Sequence, residues 1–256
     1  MLLTIDVGNT QTVIGLFKDS DTLDIHWRLS TISERTADEY ALLINELLSL
    51  NGLNILDIAG VAFSSSVPRV TAEMREMSKR WFKIPFITVE PGIKTGMPIL
   101  YDNPKEVGAD RITNAVAGFE RFGGPLIVVD LGTATTFDAI SAEGEYLGGA
   151  ITPGIQISMD ALFQEAAALR RVELIEPKRV IGKSTVESLQ SGAIYGFVAQ
   201  VDGLCQRFEQ ELGPSTVVAT GGLAPLIAHL SSKVKHHDPW LTLHGLRIIF
   251  TRNVEG

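Results

Sequence analysis

The sequence predicts an α/β protein made of two related halves, and three observations carry that prediction. An apolar run ending in an aspartate and a glycine-containing turn occurs twice, as Leu2-Leu3-Thr4-Ile5-Asp6-Val7-Gly8-Asn9-Thr10 and as Leu126-Ile127-Val128-Val129-Asp130-Leu131-Gly132-Thr133-Ala134-Thr135-Thr136. Laying Asp6 on Asp130 aligns the two, and both turns lead into a second β-rich run, Thr12–Phe17 and Thr135–Ile140. A chain of 256 residues, 45% hydrophobic and 20% charged, has the composition of a globular protein and the length for two modest domains.

In the first half, Thr12–Phe17 and Asp24–Leu29 read as strands joined through Lys18-Asp19-Ser20-Asp21, which makes an antiparallel meander. Thr36-Ala37-Asp38-Glu39 has the capping-box pattern. Ala37, Tyr40, Ala41, Ile44, Leu47 and Leu48 follow at helical spacing until Asn51-Gly52 ends the helix. Ile58–Phe63 is a strand, Val67-Pro68 starts a helix with Val70, Met74, Met77 and Trp81 on one face, and Pro85–Val89 is a last strand. The order β-β-β-α-β-α-β is that of an actin-like, ribonuclease-H-like half-domain, a fold analogy that does not by itself give a function. Residues 90–103 have no clear period and read as a loop or short excursions rather than a regular element. Asn103-Pro104-Lys105-Glu106 reads as a helix start, with Ile112, Ala115, Val116 and Phe119 as its buried stripe, and a boundary between residues 1–105 and 106–256 is placed there. The second half repeats the pattern with strands at Leu126–Val129, Thr135–Ile140 and Tyr146–Ile151, helices near 155–169 and 184–212, and a strand ending at Gly221-Gly222. Leu241–Ile249 fits either a helix or a strand.

The chemistry of the repeated turn follows from its residue types. Glycine lets a ligand approach the backbone, and Asn and Thr side chains with nearby amides can hold phosphate oxygens. A carboxylate repels phosphate, so Asp6 and Asp130 suit a cation, or waters around one, that neutralises polyphosphate charge. One such turn alone is explained as well by a tight connection between strands; the duplication favours phosphate binding. Gly148-Gly149 and Gly221-Gly222 offer side-chain-poor walls for a nucleotide, or serve as ordinary strand-to-helix turns. Asp110 and Arg111 stand among apolar residues, about 100° apart around a helix. Asp110 could accept a hydroxyl proton and Arg111 could clamp a carboxylate, or each could pair with another segment. Thr185 is either a first-turn residue behind the cap Ser184 or a hydroxyl placed for an anion.

The net charge of -8 argues against a broad nucleic-acid surface. Cys205 is the only cysteine, so an internal disulfide is excluded and a reducing, cytoplasmic setting is expected. No basic leader precedes an apolar stretch and no run approaches a membrane span, so no membrane partner is expected. His26, His229, His236, His237 and His244 show no metal-ligand spacing.

Six segments together resemble type III pantothenate kinase. They are Asp6-Val7-Gly8-Asn9-Thr10, Tyr101-x-Asn103-Pro104, Gly108-Ala109-Asp110-Arg111, Asp130-Leu131-Gly132-Thr133-Ala134-Thr135-Thr136, Gly148-Gly149-x-Ile151-x-Pro153-Gly154 and Thr185-Val186-Glu187-Ser188-x-x-Ser191-Gly192. The resemblance implies a duplicated ribonuclease-H-like fold of the actin-like ATPase and acetate-and-sugar-kinase superfamily, and a homodimer. It implies ATP-dependent phosphorylation of pantothenate in coenzyme A synthesis, with magnesium and a monovalent cation, potassium or ammonium. Carried over by position, it implies ATP contacts from Asp6, Val7, Gly8, Asn9, Thr10, Gln11, Thr12, Val13 and Thr133, and a monovalent-cation ligand in Asp130. Asp6 would also face magnesium through water. Tyr101, Gly108, Ala109, Asp110, Arg111 and Thr185 would form the pantothenate site, with Asp110 as proton acceptor. A non-catalytic regulatory protein of the same fold is the alternative, and the Asp110-Arg111 pair argues against it.

Overall fold

The computed structural model describes residues 1–18, 21–166 and 168–254. Asp19 and Ser20 of the first expected turn, and Ala167 of the expected helix 155–169, lie outside the described residues. In chain order the elements are β1 Leu2–Val7, β2 Gln11–Phe17, β3 Leu23–Ser30, α1 Ala37–Ser49, β4 Gly60–Ser65, α2 Pro68–Met77, β5 Phe86–Thr88 and α3 Ala109–Phe122. They continue with β6 Leu126–Leu131, β7 Ala134–Ile140, β8 Tyr146–Pro153, α4 Ile155–Glu165, α5 Thr185–Leu212, β9 Thr216–Thr220, α6 Ala224–Ile227, β10 His236–His237 and α7 Leu241–Val254. Two compact units result: one holds residues 1–97, 102–117 and 241–256, the other residues 98–101 and 118–240. The boundary at 105/106 drawn from the sequence falls within the 102–117 segment of the first unit.

The first unit's sheet has the order β3-β2-β1-β4-β5, and the second unit's, read from its other edge, has β8-β7-β6-β9-β10. In both, the central strand pairs antiparallel with the next strand and parallel with the fourth. Even the bulges correspond, at Leu16/Phe17 and at Ala139/Ile140. Counting back from them, Thr12 matches Thr135. The turn after β6 is one residue shorter than the turn after β1, since Val7 pairs with Thr12 while Leu131 pairs with Thr135.

Sequence explains most of these elements locally. Glu39 N donates to Thr36 Oγ1 at 3.4 Å and Thr36 N donates to Glu39 Oε2 at 2.7 Å, which closes the capping box of α1. Its Tyr40, Ala41, Ile44 and Leu48 enter a core with Leu3, Ile5, Ile14, Leu16, Phe63, Val70 and Met74. The second core gathers Ile127, Val129, Leu131 and Phe137 beneath α5 residues Ile194, Val201 and Cys205. Burial of Cys205 pushes its thiol up to about 12, so it is an inert packing residue.

Three expectations are corrected. Trp81 is 49% exposed, because α2 passes into a π turn at Ser78–Phe82 and the extra residue rotates Trp81 off the buried face. Its indole Nε1 donates to Asp38 Oδ1 at 2.9 Å instead. Asn103 caps a short 3-10 turn, Pro104–Glu106, and extended backbone at Val107 delays α3 to Ala109. Strand β4 starts at Gly60, two residues after Ile58. Residues 90–103 hold no regular element before Asn103, as expected, and make one short excursion in which Ile99 bridges in parallel to Tyr146. The open choice at the C-terminus falls to a helix: α7 buries Leu241, Leu243, Leu246, Ile248 and Ile249. Among the described residues, no helix is long and apolar enough to cross a membrane.

Candidate active site

The first unit assembles its site at the end of β1. Asp6 lies opposite Ser64 of β4 in the parallel register, and Ser64 Oγ donates to Asp6 Oδ1 at 2.6 Å. Although Asp6 keeps some exposed surface, its carboxyl is sunk in the protein. That burial pushes its pKa from 3.8 to about 7, the Ser64 hydrogen bond opposing the rise and the Asp110 charge adding to it. Two carboxylates of one unit therefore share an electrostatic neighbourhood, and a cation there would relieve both the burial and the repulsion. This donor set is all oxygen, as magnesium requires, and magnesium commonly takes one or two carboxylates plus phosphates and water. Among the described residues, no group of three or more His, Cys, Asp or Glu side chains could hold a metal, so direct protein ligands would be few.

The turn after Asp6 is braced from β3 and β4. Gly8 N donates to Gln11 O at 3.0 Å, which closes the turn and uses the glycine amide. Thr31 Oγ1 donates to Gly8 O at 2.8 Å and lies 2.9 Å from Thr12 Oγ1. Ser66 N and Oγ both donate to Val7 O, at 3.0 and 3.2 Å. Val7 and Thr12 are buried and Val13 is half-buried, whereas Asn9, Thr10 and Gln11 are exposed. The exposed groups of this turn are thus those of Asn9, Thr10 and Gln11, while the Gly8 amide is spent on Gln11 O.

Asp110 sits in the first turn of α3, where unpaired amides and the helix dipole favour an anion. Its Oδ1 accepts from Arg111 N at 2.9 Å. Gly108 makes this possible, since a Cβ there would stand 2.5 Å from the same oxygen. Ala109 O accepts from Thr113 Oγ1 at 2.6 Å. Arg111 is 7% exposed and engaged within the protein, a placement that suits an ion pair as well as a clamp.

The second unit holds Tyr101, Asp130, Thr133 and Thr185. Asp130 lies opposite Thr136 and Thr220, the place Ser64 takes in the first unit being filled by Thr220. Gly221 has φ +92°, and a Cβ on it would meet Asp130 Oδ1 at 2.4 Å. The next turn is closed by Gly132 N donating to Ala134 O at 3.0 Å and held by Gly154 N donating to Thr133 O at 3.1 Å. A carboxylate beside a turn of backbone carbonyls is an oxygen-rich set that fits a hard monovalent cation. Thr133 is exposed. Thr185 is exposed at the first position of α5, directly after its cap Ser184, whose Oγ accepts from Glu187 N at 3.2 Å. Tyr101 is half-buried, its ring centroid 6.4 Å from that of Tyr146.

Sequence reasoning did not single out Ser64 or Thr31 as site residues. Ser64 carried a signal in retrospect, a hydroxyl one residue before the end of the strand that pairs with β1, as Thr220 is a hydroxyl at the end of the strand that pairs with β6.

The folds of solved structures agree with this layout. A Campylobacter jejuni protein described as a Baf family transcriptional activator superposes with a TM-score of 0.63 over 99% of this chain and 100% of its own, at 20% identity. The ROK hexokinase of Thermus thermophilus gives 0.53 over 99% of both chains at 12% identity. At these identities the likeness is one of fold, the duplicated ribonuclease-H-like architecture. Sequence comparison goes further. The family description for type III pantothenate kinase matches residues 2–207. The type III pantothenate kinase of Streptomyces griseus is 56% identical over 263 residues, covering 99% of each chain. That of Myxococcus xanthus is 54% identical over 254 residues, again covering 99% of each. This chain belongs to the type III pantothenate kinase family.

Proposed function

We propose that this protein transfers the γ-phosphoryl group of ATP to the primary hydroxyl of pantothenate, the first step of coenzyme A synthesis. Family membership over the full length supplies the reaction. The structural observation that best supports it is the pairing of Asp110, on the amino end of α3, with the buried carboxyl of Asp6 in one electrostatic field.

Phosphoryl transfer passes through a loose transition state, so positioning and charge neutralisation supply most of the acceleration. Asp110, pinned through one oxygen by the Arg111 amide, is the group assigned to orient the acceptor hydroxyl and take its proton. Asn9, Thr10 and Gln11 of the first turn and Thr133 of the second are the exposed groups assigned to ATP. Asp6 and Ser64 are assigned to a magnesium site, and Asp130 with the Gly132 and Thr133 carbonyls to potassium or ammonium. Magnesium, when bound, neutralises polyphosphate charge. Tyr101, Arg111 and Thr185 are assigned to pantothenate. A cytoplasmic homodimer completes the reading.

The test is phosphorylation of pantothenate by the purified protein with magnesium and ATP in potassium buffer. Phosphopantothenate is the expected product. Asp110→Asn is expected to lower kcat by about 100-fold or more while pantothenate binding stays measurable. Arg111→Ala is expected to raise the pantothenate KM with kcat little changed, and an unchanged KM would assign Arg111 to a structural ion pair. Folded protein without turnover in potassium or ammonium would favour the regulatory reading or another acceptor.

A further inference from the structure

The segment that carries Tyr101 is held on the edge of the second sheet by backbone pairing. Tyr146 N donates to Pro98 O and Leu100 N donates to Tyr146 O, both at 2.8 Å, so β8 gains a short parallel neighbour at Ile99. This pairing fixes the main chain next to Tyr101 but leaves its ring to be placed by whatever lies beside it. Two groups do so. The Tyr146 ring is inclined to the Tyr101 ring at 57°. Gly148, with φ +134°, presents bare backbone, and even a Cβ built there would lie 3.6 Å from Tyr101 Cδ2 and Cε2.

Tyr146 is itself fastened from below. It is 0% exposed, and its hydroxyl donates to Asp138 Oδ1 at 2.7 Å; Asp138 is also 0% exposed. Thr136 Oγ1 lies 3.5 Å from the other Asp138 oxygen. Packing alone does not call for this arrangement, because phenylalanine fills nearly the same space as tyrosine without burying a hydroxyl beside a carboxylate. Burying both polar groups is costly unless each has a partner. What the short bond adds is a fixed end to the Tyr146 side chain, which sets the orientation of the ring that Tyr101 rests against.

We propose that the buried Asp138–Tyr146 pair positions the Tyr101 ring and thereby tightens binding of the pantothenate acceptor. The affinity part of this claim rests on the reading of Tyr101 as a substrate contact. The pair acts through Tyr101 and touches neither ATP nor the transferred phosphoryl group.

The protein has four tyrosines, so 3-fluorotyrosine labelling gives a small set of fluorine signals, and Tyr101→Phe identifies the one from position 101. Tyr146→Phe is expected to shift that signal. It is also expected to raise the pantothenate KM by about 2- to 10-fold, the net worth of one hydrogen bond, with kcat and the ATP KM nearly unchanged. In a Tyr101→Ala background the same substitution is expected to add nothing to KM, which a general loss of stability would not produce. The Tyr146→Phe/Asp138→Asn double variant removes the buried carboxyl together with the hydroxyl and gives the same readouts if the single variant folds poorly. An unmoved Tyr101 signal, or an equal rise in KM in both backgrounds, overturns the positioning role. A moved signal with wild-type KM in both Tyr146→Phe and Tyr101→Ala instead overturns the substrate reading of Tyr101, and the affinity claim with it.

Discussion

The turns after Asp6 and Asp130 follow equivalent strands, yet they are held in different ways. Around the first, hydroxyl groups do the bracing: Thr31 joins Gly8 O to Thr12, Ser66 holds Val7 O and Ser64 holds Asp6. Around the second, glycine packing replaces them. Leu29 pairs with Thr12 and Thr152 pairs with Thr135, so Gly154 stands two residues past its strand partner where Thr31 does. A Cβ on Gly154 would lie 2.3 Å from Thr133 O and 2.5 Å from Gly132 O. Thr135, the counterpart of Thr12, is buried with no hydrogen-bond partner for its hydroxyl. Duplication thus preserved the strands, while the supports diverged with what each turn is proposed to hold. A side-chain brace leaves exposed polar groups at the tip for phosphate. Backbone packed on backbone fixes carbonyl oxygens in place, which a bare cation needs.

The widest separation between the two should come from adding a single methyl group. Gly154→Ala and Gly221→Ala force backbone or the Asp130 carboxylate aside, and Gly221 also has φ +92°. Each is expected to lose about 3 kcal/mol or more in urea unfolding. Equal tolerance at these sites and at Gly8 would erase the distinction.

A smaller effect concerns pH. The folded protein holds the Asp6 proton up to about 7, whereas its ordinary value is 3.8. Between those values the folded state binds more protons than the unfolded one, so stability contributed at this site falls as pH rises and the penalty is complete above 7. Allowing for the exposed part of the side chain, Asp6→Asn should stabilise the metal-free protein by about 2 kcal/mol at pH 8 and hardly at all at pH 4. Thermal unfolding at the two pH values checks this, and an equal gain at both would show that Asp6 is ionised throughout.

Removing one brace from the first turn should cost less again. Thr31→Val loses the links to Gly8 and Thr12, worth about 1 kcal/mol in the same unfolding assay. Ser64→Ala is expected to weaken magnesium-dependent nucleotide binding, measured by calorimetry, more than it weakens the fold; unchanged binding would make Ser64 a structural partner only. Gly8→Ala should change least, since a Cβ there meets only Gln11 O at 3.2 Å.

Much of this is legible in the local chemistry of the sequence. The capping box at Thr36, the repeated Asp-x-Gly turn and the apolar alternation led to the right elements and to the equivalence of the halves. What escaped depends on partners distant in sequence or on local geometry without a periodic sign. Ser64 meets Asp6 across 58 residues, and nothing at position 64 alone announces that contact. The π turn that exposes Trp81 breaks a helical period that the residue pattern itself continues. Pairing of Ile99 beside Tyr146 joins a segment with no alternation to a strand 47 residues on. Residue types pointed to Asp6, Asp110 and Asp130 as candidates, but only the fold reveals that Asp6 and Asp110 feel one another.

The division of labour between the turns is tested most directly by pantothenate phosphorylation in potassium and in sodium buffer, with wild-type protein and Asp130→Asn side by side. The account predicts that potassium stimulates the wild type several-fold, and that Asp130→Asn loses this stimulation while its pantothenate KM stays near the wild-type value. Equal rates in both salts for the wild type, or full potassium stimulation in Asp130→Asn, would contradict it.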